Sequence, residues 1–409
     1  MSMAAEIKPI HSSGHKSLTT EKPVLVSKID SCSDTINAVQ ILSEGRTILS
    51  ISDDKSVRIW QRRASGQYWP SVCHFLPAAP TSLHYTHESR TLCIGINNGT
   101  VMEFEVARDE NSLNHRRDYL SHQGRVTAVR FSAVHAWLLS VSRDKFFCFH
   151  STTSGHRLGG HECSGWCTAL EFDEPSCHVF VADYTGTITM LKLESGSCTL
   201  ITQLKGHTAC VDCLTWDGVS QQLFSGSHDH TVMVWDVGGG KGTSYELQGH
   251  NGKVRCLYHC GTKKVLVSGA EDGVLVWWDM AASRMVTPEW SESDSCQYCD
   301  RPFYWNVRAM INQKQIGLRQ HHCRMCGKAV CDQCSSRRTN LPAMGFEFNV
   351  RVCEKCYDTV TDRDRESLAV FHEAKHTVTS MNVDLSSGVL LTVGTDNVIK
   401  IWDVKPILN

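Results

Sequence analysis

From Val24 onward, apolar and polar residues alternate along short runs, and clusters of Gly, Asp, Asn and Ser interrupt them. A period of two sends successive side chains to opposite faces of a strand, so each run predicts a β-strand with one buried face. The runs themselves recur at roughly 35–45 residues, the mark of a repeat architecture. Seven units are readable, over about 27–63, 65–106, 116–152, 154–194, 199–240, 244–280 and 367–404. Residues 1–21 are polar, with little apolar pattern, and predict a disordered tail.

The polar residues inside the units have a spacing of their own. One unit opens at Gly206-His207 and runs through Ser225 and Asp229 to Trp235-Asp236; the next holds Gly249-His250, Ser268, Asp272 and Trp278-Asp279. In both, histidine and aspartate are 22 positions apart, and aspartate and tryptophan six. The last unit has His376, Thr392, Asp396 and Trp402-Asp403, and the first keeps Asp54 and Trp60. Unit three keeps His122 and Asp144 with His150 at the tryptophan position. Units two and four keep only turn signals, Asn98-Gly99 and Asp183-Tyr184-Thr185-Gly186. This pattern resembles the WD-repeat β-propeller, an all-β fold in which each blade is a four-stranded sheet. The resemblance implies seven blades and a hydrogen-bonded His–Ser/Thr–Asp–Trp chain in each complete one, a network that rigidifies when all members are present. Val24 to Ile29 has no unit of its own. It is expected to pair near Thr377 to Val404, completing the last blade and removing the open sheet edges.

Between units six and seven the strand pattern breaks. Trp290 to Tyr357 carries four Cys-x-x-Cys pairs: Cys296/Cys299, Cys323/Cys326, Cys331/Cys334 and Cys353/Cys356. Two thiolates at this spacing close on one tetrahedral metal, and four saturate a structural zinc site, so eight predict two Zn2+ ions. A disulfide framework is the competing reading, and the absence of an N-terminal signal-type apolar core argues against it. The module is thus an insertion at 290–357, joined by short linkers 281–289 and 358–366 to a propeller formed by 22–280 and 367–404.

Around the second pair stands Arg-Gln-His-His-Cys-Arg-Met-Cys-Gly, Arg319 to Gly327, and Arg-Val-Cys follows at Arg351 to Cys353. This resembles the FYVE zinc finger, which binds phosphatidylinositol 3-phosphate on endosomal membranes. The resemblance implies cross-bracing, with Cys296, Cys299, Cys331 and Cys334 on one zinc and Cys323, Cys326, Cys353 and Cys356 on the other. It implies head-group contacts from Arg319, His321, His322, Arg324, Arg351 and Asp294, and an apolar tip at Ile316, Gly317 and Leu318 that enters the bilayer. Arginine suits a phosphate because its planar fork donates twice. Two departures stand out. Gln320 replaces a basic residue of the motif, and three residues separate Trp290 from Asp294 where the motif has two. The 23 residues from Asp300 to His322 make a longer loop than the family's.

Charge sharpens this reading. Lys and Arg number 41 against 43 Asp and Glu, a net −2, which gives no global basic field for nucleic acid. From Trp290 to Tyr357 there are ten Lys/Arg and six Asp/Glu, so the basic character is local. No run of apolar residues is long enough to span a bilayer. Together the two resemblances are to the WD-repeat and FYVE-domain-containing proteins. They imply a cytoplasmic adaptor, peripheral on the early endosome, that holds protein partners on its propeller and is not an enzyme. A weak homodimer would add avidity, although nothing in the sequence shows one. Two rivals are a RING-like ubiquitin ligase, which also uses eight cross-braced ligands, and a polyanion binder with a steep salt dependence. Cys210-x-x-Cys213, Cys163/Cys167 and Cys256/Cys260 read as strand residues, and Gly238-Gly239-Gly240 as a blade connection.

Overall fold

The computed structural model describes residues 22–408 except 31, 33, 44 and 239–243. The expected tail over 1–21, and Gly239 and Gly240, lie outside the described residues. Seven four-stranded antiparallel sheets form the propeller. The first is made of Ile36–Ser43, Thr47–Ser52, Ser56–Arg62 and Tyr68–Phe75, in chain order from the inside outward. Units two and four, which lack the Trp-Asp ending, form complete sheets as well.

Burial follows position in the blade. Thr47–Ser52, Thr91–Ile96, Trp137–Ser142 and Val265–Ala270, the second strands of their sheets, are buried at every residue because neighbouring blades cover both faces. The outer strand Ser197–Lys205 is mostly exposed. Apolar clusters fill the wedges between blades, as where Leu49 and Ile59 of sheet one meet Leu92 and Phe104 of sheet two. The polar networks tie turns to these strands. His207 Nδ1 lies 2.9 Å from Asp229, its Nε2 lies 2.7 Å from Ser225 Oγ, and the Trp235 indole N–H donates to the same hydroxyl at 2.8 Å. His250, Ser268, Asp272 and Trp278 repeat the arrangement, as do His376, Thr392, Asp396 and Trp402. In sheet three His122 still bridges Ser140 and Asp144. His150 is buried there with Nδ1 unpartnered.

Sequence units and sheets are out of phase by one strand. Each unit begins with the outer strand of the preceding sheet, so unit seven supplies Ala369–Glu373 to sheet six and Ser380–Asp384, Val389–Val393 and Ile399–Asp403 to sheet seven. Val24–Ile29 completes sheet seven antiparallel to Ile399–Asp403, with Val24 opposite Asp403 and Ile29 opposite Ile399. The insertion that separates units six and seven therefore falls, in space, between Val274–Asp279 and its outer partner Ala369–Glu373. Both feet of the inserted module stand on one blade.

The module docks as well as being tethered. Its strands Arg338–Leu341 and Phe346–Arg351 pair with each other, and Phe346 bridges in parallel to Gln248, at the end of the outer strand Ser244–Gln248 of sheet five. The sheet becomes six-stranded. Gln248 N–H donates to Gly345 O at 2.7 Å, Met285 N–H to Ala343 O at 2.7 Å, and Leu368 N–H to the Glu347 carboxylate at 3.1 Å. Gly345 has φ +87, and a Cβ there would stand 1.8 Å from Glu246 O, so only glycine permits this approach.

Candidate functional site

Eight cysteines gather into two quartets in the module, Cys296, Cys299, Cys331 and Cys334, and Cys323, Cys326, Cys353 and Cys356. Within each, the sulfur atoms all lie within 4.8 Å of one another. The backbone prepares one sulfur of each quartet for charge: Cys331 N–H donates to Cys296 Sγ at 3.3 Å and Cys353 N–H to Cys323 Sγ at 3.2 Å. The thiol of Cys326, with the backbone N–H groups of Cys353, Cys326 and Met325, draws Cys323 down to about 4 against the effect of burial. Burial pushes Cys296 up, yet the N–H groups of Cys331, Tyr298 and Cys299 outweigh it and hold it at about 7. Four thiolates in this arrangement fit tetrahedral zinc, and the module holds two structural Zn2+ ions. Its core is small, with Phe303, Leu341, Met344 and Phe346 packed around the cysteines themselves. A core of that size depends on its metals to persist.

Zinc fixes two strands side by side. His321–His322 leads into Cys323, and Phe346–Arg351 leads into Cys353. Arg324 N–H donates to Arg351 O at 3.0 Å, which registers one basic segment against the other. Between them opens a cleft of about 290 Å³ whose cationic and imidazole lining is His321, His322, Arg324, Arg338 and Arg351. Trp290 stacks on His322 with ring centroids 4.7 Å apart and planes 12° from parallel. The Arg324 guanidinium lies 4.5 Å from the centre of the same indole. Arg351 is aimed by Asp332, at 2.7 Å, and by Ser335. Burial, and then the Arg351 guanidinium, hold His321 below the usual histidine range. The hydrogen bond from Arg351 holds the exposed Asp332 carboxyl below its ordinary value.

The remaining expected contacts lie elsewhere. Arg319 is exposed and outside the lining. Asp294 accepts the Trp305 indole N–H at 2.9 Å and also stands outside it. Gln320 faces the Ser293 carbonyl, so a basic side chain there would not line the cleft directly. The expected tip divides. Ile316 is 79% exposed, Gly317 is buried against Tyr304 and Met310, and Leu318 packs against the module core. The long loop adds the helix Val307–Gln313, which buries none of its residues, and it presents Tyr304, Trp305, Val307 and Ile311 to solvent. Arg338 was not expected in the cleft. It sits opposite Arg351 in the strand pair, a position that reading 338–341 as the partner of 346–351 would have revealed.

Cys210 and Cys213 form no pair site. Cys210 instead approaches Asp212 and His228, and the Arg255 guanidinium lies 2.7 Å from Asp212 and 3.3 Å from His228. That fixed positive charge opposes a cation there.

The FYVE zinc finger family model matches residues 288–362, and the WD domain, G-beta repeat model matches 23–61, 114–151, 198–236, 242–279 and 365–403. The WD40 β-propeller domain of Doa1 superposes with a TM-score of 0.59 at 14% identity, over 93% of this chain and 96% of that one, a likeness of fold alone. WD repeat and FYVE domain-containing protein 2 of Mus musculus is 50% identical over 407 residues, covering 100% of both chains. The Bos taurus protein 1 is 49% identical, over 99% of this chain and 97% of its own. The Caenorhabditis elegans protein 2 is 41% identical, over 99% and 98%. Identity at this level along the whole length, through the propeller and the inserted finger alike, makes the chain a member of the WD repeat and FYVE domain-containing protein family.

Proposed function

We propose that this protein is an adaptor that binds phosphatidylinositol 3-phosphate on endosomal membranes through its zinc finger and presents its propeller to protein partners, without catalysis. The observation that carries the reading is the convergence of His321, His322, Arg324, Arg338 and Arg351 on one small cleft of a module that also exposes apolar side chains. A head group with two phosphates needs several fixed cationic donors, and a membrane-borne ligand needs a nearby surface that tolerates the bilayer. Ile316, Ile311 and the amphipathic rings of Tyr304 and Trp305 provide that surface; interfacial Trp and Tyr are favoured at head-group depth. The polyanion reading lacks such a need for an apolar surface.

Flotation of the zinc-loaded full chain with vesicles tests the reading. Vesicles bearing the 3-phosphate isomer should carry the protein, and those bearing the 4- or 5-phosphate isomers should not. Arg324→Ala should abolish the difference. Ile316→Glu should weaken vesicle binding by about tenfold or more, since burying one such side chain is worth ~1.5–3 kcal/mol, while leaving affinity for soluble inositol 1,3-bisphosphate intact. Equal flotation with all three isomers would refute the proposal.

A further inference from the structure

One wall of the basic cleft comes from outside the finger. Gln248, the last residue of the outer strand of sheet five, lines it together with the finger's arginines. It is held there by its own backbone, through the 2.7 Å hydrogen bond to Gly345 O and the parallel bridge to Phe346. Its side chain is oriented too: the amide nitrogen donates to Glu246 Oε1 at 2.7 Å. An amide nitrogen carries two N–H groups and the amide oxygen accepts, so with one N–H committed to Glu246 the other donor and the acceptor remain for the cleft.

The chemistry of the lining divides accordingly. His321, His322, Arg324, Arg338 and Arg351 supply positive charge or N–H donors, which suit phosphate oxygens. A sugar-like ring also carries hydroxyls, each both donor and acceptor, and these call for neutral groups able to do both. Gln248 and Asn349 are the two amides in the lining. Of the two, Gln248 belongs to the propeller.

We propose that the phosphoinositide site is composite, completed by Gln248 of the propeller, whose amide hydrogen-bonds the inositol ring while the finger's cations take the phosphates. This rests on the proposed lipid reading. Glu246 acts as a positioning residue, since its carboxylate fixes the amide's direction. Because the strand junction fixes the Gln248 backbone and Glu246 holds its amide before any ligand arrives, the ordering cost of its contact is reduced.

The test is titration of the zinc-loaded full chain with soluble inositol 1,3-bisphosphate, alongside flotation on the three monophosphate isomers. Gln248→Glu places a carboxylate against the head group and should weaken binding about tenfold or more; Gln248→Ala, which loses one neutral hydrogen bond, should weaken it about three- to tenfold. Both variants should keep two zinc ions per chain and the wild-type thermal midpoint, which separates loss of a contact from loss of docking. Wild-type isomer selectivity with unchanged or tighter binding in both variants would overturn the composite site alone, showing that Gln248 merely flanks or crowds the cleft. Absence of selectivity in the wild type would overturn the lipid reading and this inference together.

Discussion

At the scale of single residues, the buried polar groups decide where the chain is rigid and where it is vulnerable. Ser225 is fully buried and is bonded by both His207 and Trp235, so the blade's turn and strands share one hydroxyl. His150 occupies the equivalent of the tryptophan position in sheet three, with an unpartnered ring nitrogen. Burial, then Arg157, hold it down to about 4, and burial, then Arg130, hold His84 to about 3. Both folded values lie below the unfolded one near 6.5, so between these limits the unfolded chain binds the extra protons. Stability from these histidines is complete above pH 6.5 and is lost as pH falls toward 4, at up to about 1.4 kcal/mol per pH unit for each. Thermal unfolding should therefore move to lower temperature between pH 7 and pH 5, and His150→Phe should flatten the profile. An identical slope in that variant would show that His150 is not a source of it.

At the scale of elements, the strand pattern and the cysteine spacing were legible because each obeys a local rule: alternation for a half-buried strand, two thiolates per metal edge. The four cysteine pairs and the basic strand could be written down from residue order, whereas their grouping into two quartets followed from the resemblance to the FYVE finger. The phase of the blades could not, since strand Ala369–Glu373 belongs with unit seven in sequence and with Val274–Asp279 in space. Nor could the junction between sheet five and the finger, which depends on a main-chain approach that leaves no trace beyond Gly345. The division of the tip was equally unreadable, as Leu318 and Ile316 differ in burial and not in type. Gly345→Ala tests the junction. A side chain cannot fit beside Glu246 O, and positive φ costs an ordinary residue about 1 kcal/mol in addition. The Gln248 amide should exchange hydrogen faster, and affinity for soluble head group should fall, while zinc content and the other blades stay as they are. Unchanged exchange at Gln248 would mean the junction tolerates the methyl group.

At the scale of the whole molecule, two stabilising systems meet along one seam. The propeller is held by wedges of apolar side chains between blades, and the finger by metal with only a small core. A strong zinc chelator should consequently raise hydrogen exchange across 290–357 while the second strands of the seven sheets stay protected; global unfolding on chelation would show the ring itself to be metal-dependent. The position of the finger also orders events during synthesis. Sheet six waits with an unpaired edge until the whole finger has left the ribosome, and Val24–Ile29, made before every other strand of the ring, finds its partner only when Ile399–Asp403 appears. The nascent chain thus carries an exposed edge on sheet six while the finger is made, and Val24–Ile29 stays unpaired for longer still, the condition under which strands pair wrongly or attract other chains. Zinc capture by the emerging module holds the feet of the gap close together and shortens the search for the strand that closes it.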